Sequence, residues 1–317
     1  MIKEGIKRFI GLSSFEMMAM FRRGLFYAYL SIYLRHYIGL SVTETTLFAT
    51  LPMISNILCQ TFIWGKISDR FQLRRTLIIA GEVLAGIGTI AVWYLHRLPE
   101  SRETAGYTII FGLTIIEVFW AMSNISWSAL VSDIYEAGER SGIQGKLASM
   151  GGIGRLAGVW MGGLLYDGLG AYYAGWGFYE GTLFYASAGI MFISTIPLLF
   201  LPEGGVVIKT AANPVPEVKE KQETASVGIY LLFLAAMVFI NFGRNSIAII
   251  FPQYLSLENG LALDSRTISY VVNLQSVSII LFGWTAGRIG HAAGNANTLL
   301  AGRSEERRVG KECATGC

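Results

Sequence analysis

Eight predominantly apolar stretches divide this chain. Each runs for roughly 20 residues, the length a helix needs to cross the hydrocarbon core of a bilayer. They fall near 10–34, 46–64, 76–95, 107–130, 149–166, 181–201, 228–251 and 267–283, and they predict an all-α polytopic membrane protein. Between the second and third stands a charged turn, Gly65-Lys66-Ile67-Ser68-Asp69-Arg70, followed by Arg74 and Arg75. It returns in degraded form after the eighth, as Gly283-Trp284-Thr285-Ala286-Gly287-Arg288. The echo extends upstream at a constant offset of 221 residues: Phe21, Arg23, Tyr33, Leu34, Gly39 and Leu40 fall on Phe242, Arg244, Tyr254, Leu255, Gly260 and Leu261. From there to the glycine turn the second copy is three residues shorter. A parallel repeat of this kind implies a duplicated helical bundle, the construction of many secondary transporters.

Composition agrees with a lipid environment. The chain is 53% hydrophobic and 15% charged, where a soluble domain carries about a quarter charged residues. Basic residues gather in the segments on one side, among them Lys3, Lys7, Arg8, Lys66, Arg70, Arg74, Arg75, Arg140 and Lys146. The other side holds Arg35, Arg97, Arg102 and Arg266. By the positive-inside rule the N-terminus is expected in the cytoplasm and the protein in the plasma membrane, the inner membrane if the cell is Gram-negative. The first stretch is too long for a cleaved signal peptide and carries Arg22 and Arg23 in its middle.

Four regions follow: a six-helix bundle over 1–201, a polar linker over 202–226, the first two helices of a second bundle over 227–302, and a tail over 303–317. The tail brings Arg303-Ser304-Glu305-Glu306-Arg307-Arg308 abruptly after Thr298-Leu299-Leu300-Ala301-Gly302, which reads as the opening of a ninth helix. It resembles translated sequencing adapter, so the natural protein is expected to continue and the tail is set aside from the fold. Of the three cysteines, Cys313 and Cys317 fall in the tail and Cys59 reads as a packing residue. Ser41 with Glu44 fits a capping box at the start of the second helix, and Asp264 can cap the eighth.

The residues 65–75 carry a resemblance to the major facilitator superfamily, extending over 1–302. The family shows Gly-x-hydrophobic-x-Asp-Arg-x-Gly-Arg-Arg between its second and third helices. Here Gln72 stands at the second glycine and the basic pair is displaced by one. The resemblance implies a gating role for Gly65, Asp69, Arg70 and Arg74, with aspartate and arginine latching the two bundles in the outward-open state. The plainer reading has Asp69 and Arg70 solvating a tight turn. In the fifth helix Gly154, Gly158, Gly162 and Gly163 resemble the family's antiporter motif, with Val159 in place of its proline. Close helix packing is the direct reading of such glycines; antiport is the further one.

Charges at mid-depth in a bilayer are costly and are treated as functional by default. Arg23 lies midway along the first helix, and Arg244 holds the equivalent depth in the seventh. In the superfamily these helices line the central cavity from opposite bundles, and the pattern resembles the organophosphate:phosphate antiporters, whose paired arginines hold the substrate phosphate. Two guanidinium forks suit a phosphate or carboxylate. A structural pair of Arg23 with Glu117, and a lipid-facing snorkelling arginine, remain open alternatives. Arg22 points about 100° away from Arg23, towards a neighbouring helix.

Asn241 and Tyr27 are further substrate-binding candidates. Glu117 is the proton-coupling candidate, because loss of water around a carboxyl favours its neutral form. Glu16 and Glu82 are placed close enough to the cytoplasmic face to reach water, and Arg155 is expected to pair with an acidic neighbour there. Asn124, Asn273 and Gln275 read either as cavity lining or as interhelical hydrogen bonds. His36, His96 and His291 sit in loops, with no metal or nucleophile constellation and no phosphate-binding Gly-x-x-x-x-Gly-Lys-Ser/Thr loop, so an enzyme and an ATP-driven pump are both disfavoured. The expected protein is a monomeric secondary transporter of a small organic solute in the lipid bilayer, without cofactor or nucleic-acid partner. An anion exchanger and a proton-coupled multidrug efflux antiporter compete, with a transporter-like receptor behind them.

Overall fold

A computed structural model describes residues 2–205, 250–257 and 260–293, together with a few isolated positions between 228 and 239. Asn241 and Arg244, the linker from 206, the opening of the ninth helix and the tail lie outside the described residues. The described part is all-α. Helix α1 spans Ile2–Ile32 and continues as a π-helix over Tyr33–Ile38; α2 spans Val42–Leu58 and continues as a π-helix over Cys59–Trp64 into α3, Gly65–Phe71. Then come α4 (Arg74–His96), α5 (Arg102–Ile134), α6 (Ala137–Tyr166), the single turn α7 (Trp176–Tyr179), α8 (Thr182–Leu198) and α9 (Ser265–Ala293). Four spans among the described residues are long and apolar enough to cross a membrane by length and composition, namely 42–71, 74–96, 102–134 and 265–290. α1 and α6 fall short of that measure, consistent with the arginines of one and the many glycines of the other.

Side by side, the long helices run in the order α9, α6, α1, α8, α4, α5, α2. What brings α6 onto α1 is the row Gly154, Gly158, Gly162. A methyl group on Gly162 would sit 2.6 Å from the Leu25 carbonyl, and on Gly154 and Gly158 it would press still closer on the Met17 and Phe21 carbonyls. Without a hydrophobic drive between helices in lipid, such close backbone contact is what holds them. Gly163 belongs to the next face, where a methyl would meet the Ser265 carbonyl of α9 at 3.0 Å. α9 then follows α6 through Asn273 to the Leu156 carbonyl (3.1 Å), Arg155 to Gln275 (2.9 Å) and Ser149 to the Ile280 carbonyl (3.2 Å). On the outer surface large apolar side chains stay exposed along α2 and the π-helix after it, with Ile54, Ile57 and Phe62 about half exposed or more. A face of this kind on an apolar helix is suited to lipid.

Three readings of the sequence need correction. His36, His96 and His291 are not in loops: they lie in the π-helix after α1, at the last residue of α4 and within α9. The Gly65–Arg70 stretch is helix, not turn: it forms α3, and the chain reverses only at Gln72, whose φ is 53°. Its counterpart 283–288 is likewise inside α9, which runs to Ala293. Polar residues leaving a bilayer have no reason to stop a helix; a left-handed residue does, here with a side chain in place of the family's glycine. The segment after α8 is also not free linker at its start. Glu203 pairs with Arg75 (3.1 Å) and accepts from the Thr76 backbone N–H (2.9 Å) and hydroxyl, fixing the entry of α4. Two expected caps are present. Ser41 and Glu44 form a full capping box on α2, and Asp264 accepts from the Arg266 and Thr267 backbone N–H groups.

Candidate functional site

Consecutive arginines on α1 go to different surroundings, as a 100° step demands. Arg22 turns into the bundle and is 3% exposed. Its guanidinium lies 3.9 Å from Glu82 of α4 and 4.4 Å from the centre of the Trp120 ring of α5. Glu82, also 3% exposed, accepts from the Ser123 hydroxyl at 2.9 Å. Gly81 allows this meeting, since a methyl there would be 2.7 Å from the Phe119 carbonyl. Glu82 therefore does not reach water as its position in the sequence suggested; rotation of α4 aims it at Arg22.

Arg23 stands on the open side. It is exposed and donates to the Asn124 side chain of α5 at 3.2 Å. Among the described residues no carboxylate lies within 4.0 Å of it; the four ion pairs found there are Arg22–Glu82, Arg74–Asp69, Arg74–Asp133 and Arg75–Glu203. The Arg23–Glu117 pair considered as an alternative does not form. Glu117 instead accepts from the Asn56 amide of α2, and Gln60 of the π-helix donates to Asn56 at 2.7 Å. Asn56 and Gln60 are four residues apart, so they stand one above the other on the same face where α2 passes into the π-helix. Asn56 and Gln60 escaped the sequence reading. A lone amide in an apolar helix carries no charge signal, and only the packing of α2 on α5 gives it a partner.

Tyr27, one turn along α1 from Arg23, is half-buried, with its ring stacked on Phe48 (5.6 Å) and tilted against Trp120 (5.7 Å). One turn beyond Asn124, Ser128 bonds the Asn124 carbonyl and lines a cavity of about 170 Å³ with Glu16, Trp127 and Gln144. An exposed guanidinium, a half-buried carboxyl in an amide row and an aromatic wall thus line the inner sides of α1, α2 and α5. Arg155, Asn273 and Gln275 are used between α6 and α9, and Cys59 is a buried free thiol. No group of three His, Cys, Asp or Glu residues placed to hold a metal occurs among the described residues.

The gating candidates gather at one end of the bundle. Arg74, 8% exposed, donates to Asp69 through two nitrogens at 3.1 Å, to Asp133 of α5 at 3.3 Å and to the Ser68 hydroxyl. Asp133 also accepts the Gly205 backbone N–H at 2.8 Å, so one guanidinium ties α3, α4, α5 and the segment after α8. Asp69 keeps 79% of its side chain exposed despite the bond. Arg70 is exposed, its guanidinium 5.7 Å from the Phe71 ring.

The family model described as Major Facilitator Superfamily matches residues 12–304, and no curated protein matches the chain.

Proposed function

The chain belongs to the major facilitator superfamily and is a secondary transporter; from that premise we propose that it carries a small organic anion, a phosphate ester or carboxylate, by alternating access. The observation that supports this reading is the contrast between the two neighbouring arginines. Arg22 faces a carboxylate inside the bundle, while Arg23 has a neutral partner, Asn124, and keeps its charge for a ligand. A charge-assisted hydrogen bond from Arg23 contributes about 1.5–3 kcal/mol, roughly 10- to 100-fold in affinity. Arg244 and Asn241 of the second bundle complete the clamp by the sequence repeat. Tyr27 lines its wall. Glu117 exchanges the coupling proton, and Asp69 with its exposed side chain engages the second bundle while Arg74 orients it. The N-terminus lies in the cytoplasm and the membrane is the plasma membrane.

A second reading, proton-coupled efflux of amphipathic drugs, draws on a different observation: Glu117 is one turn along α5 from Trp120, which belongs to the Tyr27–Phe48–Trp120 aromatic wall. Counterflow in proteoliposomes separates the two, using inorganic phosphate, a phosphate monoester and a dicarboxylate against a lipophilic dye. Arg23→Lys abolishes exchange of the anions if the first reading holds. Dye transport with no anion exchange, and partial activity in Arg23→Lys, decides for the second.

A further inference from the structure

The end of the bundle opposite Arg74 holds a second cavity, of about 290 Å³. It is enclosed by the π-helical end of the first segment, the last turn of α4, the first turn of α5 and α7. Its polar groups are of an unusual kind for a structural void. The Arg97 guanidinium lies 5.1 Å from the Trp93 ring and 5.2 Å from the Tyr179 ring, and that of Arg102 lies 5.4 Å from the Tyr37 ring. Arg102 also donates to the Tyr37 carbonyl at 3.3 Å; an aromatic face holds a guanidinium in place while its remaining N–H groups stay available to a ligand. Neither arginine is among the ion pairs found between described residues, although Glu100 also lines the cavity. Two cations against one carboxylate leave a positive site.

The buried wall supplies two more groups. The Tyr33 phenol, 0% exposed, and Nε2 of His96, 3% exposed, both lack a hydrogen-bond partner. An unpartnered buried polar atom is rare and calls for a ligand, ion or water. Nδ1 of His96 lies 3.3 Å from the Val92 carbonyl, which assigns the ring hydrogen to Nδ1 and leaves Nε2 as an acceptor. The lining therefore offers cationic N–H donors and a phenolic donor, with Nε2 of His96 and the Glu100 carboxylate as acceptors. That set matches an anion that also carries a hydroxyl.

Exposed aromatics pack on the residues of the site: Tyr173 stacks on Tyr37 at 5.7 Å, and Tyr94 meets edge-on the Trp93 ring that Arg97 covers, at 4.6 Å. Tyrosine and tryptophan concentrate where a bilayer meets water. We infer that this cavity is a second anion site, separate from Arg23, that takes a phosphate bearing a hydroxyl, either a soluble hydrogen phosphate or the headgroup of a phosphatidylglycerol molecule.

The test uses the full chain carrying Arg23→Gln, so that the central site makes no contribution. Thermal unfolding is followed in detergent by tryptophan fluorescence, with inorganic phosphate against sulfate at equal ionic strength. It is repeated in nanodiscs of phosphatidylcholine with and without phosphatidylglycerol. A midpoint raised by a few degrees by phosphate but not sulfate, and lost when Arg97→Gln and Arg102→Gln are added, supports the site with a soluble ligand. A rise that needs phosphatidylglycerol and is lost in the same variant supports it with the lipid. No rise in any arm, an equal rise with sulfate, or a rise that survives both arginine substitutions overturns it.

Tyr33→Phe guards against misfolding of the multiple variant. Removing a hydroxyl that has no partner leaves the ligand-free midpoint unchanged or higher, while the concentration of phosphate or phosphatidylglycerol needed for the rise increases about tenfold. An unaltered ligand response in Tyr33→Phe also overturns the assignment.

Discussion

Gly158→Ala is expected to force α1 and α6 apart. At Gly162 a methyl group would already sit 2.6 Å from the Leu25 carbonyl, against 3.4 Å for the start of ordinary contact, and the approach at Gly158 to the Phe21 carbonyl is closer. The obstacle is backbone, which cannot rotate aside, so the helices must separate by at least 0.8 Å, the difference between those two distances. Overpacking of this kind costs about 1–3 kcal/mol. The site is next to Arg22, so the shift also weakens the Arg22–Glu82 contact, already 3.9 Å long. Gly142→Ala, on the same helix, is the control: nothing lies within 4 Å of a methyl there, and alanine favours helix over glycine by up to about 1 kcal/mol. Thermal unfolding in detergent should therefore move in opposite directions for the two variants. If Gly158→Ala matched or exceeded the wild-type midpoint, the close-packed seam between α1 and α6 would be refuted.

Other outcomes follow from the same geometry. Asp133→Asn takes a charge from buried Arg74 and should cost about 1.5–3 kcal/mol, whereas Asp69→Asn, at a side chain 79% exposed, should cost under about 1 kcal/mol; equal midpoint losses would contradict the central place given to Asp133. Asp264 is held below the ordinary carboxyl range by the Thr267 hydroxyl and by backbone N–H groups of the first turn of α9. Because its folded value is depressed, its stabilising effect is present above the ordinary value of about 3.9 and is lost as pH falls through the lower folded value. Hydrogen exchange in the first turn of α9, corrected for intrinsic rate, should show that loss, and Asp264→Asn should remove it. Acid dependence unchanged in Asp264→Asn would assign the effect elsewhere.

Much of the architecture was legible from local rules. Membrane-length apolar runs located the long helices among the described residues, Ser41, Glu44 and Asp264 marked two helix starts, and the spacing of Gly154, Gly158 and Gly162 put one narrow face on α6. Each of these depends on a single helix and its nearest residues. What escaped depends on rotation and partner. The 100° step predicted that Arg22 and Arg23 diverge, but Glu82 as the partner of Arg22 required knowing how α4 turns against α1. Asn56 meets Glu117, and Gln60 supports Asn56, only after α2 packs on α5. The polar residues of the Gly65–Arg70 motif suggest a turn, yet the reversal needs a left-handed residue, and that residue is Gln72. His96, Arg97 and Arg102 are close in the chain, but Tyr33 is about 60 residues away, and only the packing of the π-helical end of the first segment against α4 and α5 brings all four to one cavity.

Ser128 is exposed, lines the smaller cavity and lies one turn from Asn124, the partner of Arg23. Ser128→Cys, with Cys59, Cys313 and Cys317 replaced by serine, can be modified by an anionic methanethiosulfonate reagent in proteoliposomes. The most direct measurement is the rate of that modification with and without inorganic phosphate, a phosphate monoester or a dicarboxylate. If Arg23 holds an anion in the solute path, at least one of these slows the reaction, and Arg23→Gln removes the protection. Absence of protection by all three, or protection that is the same with glutamine at 23, would contradict it.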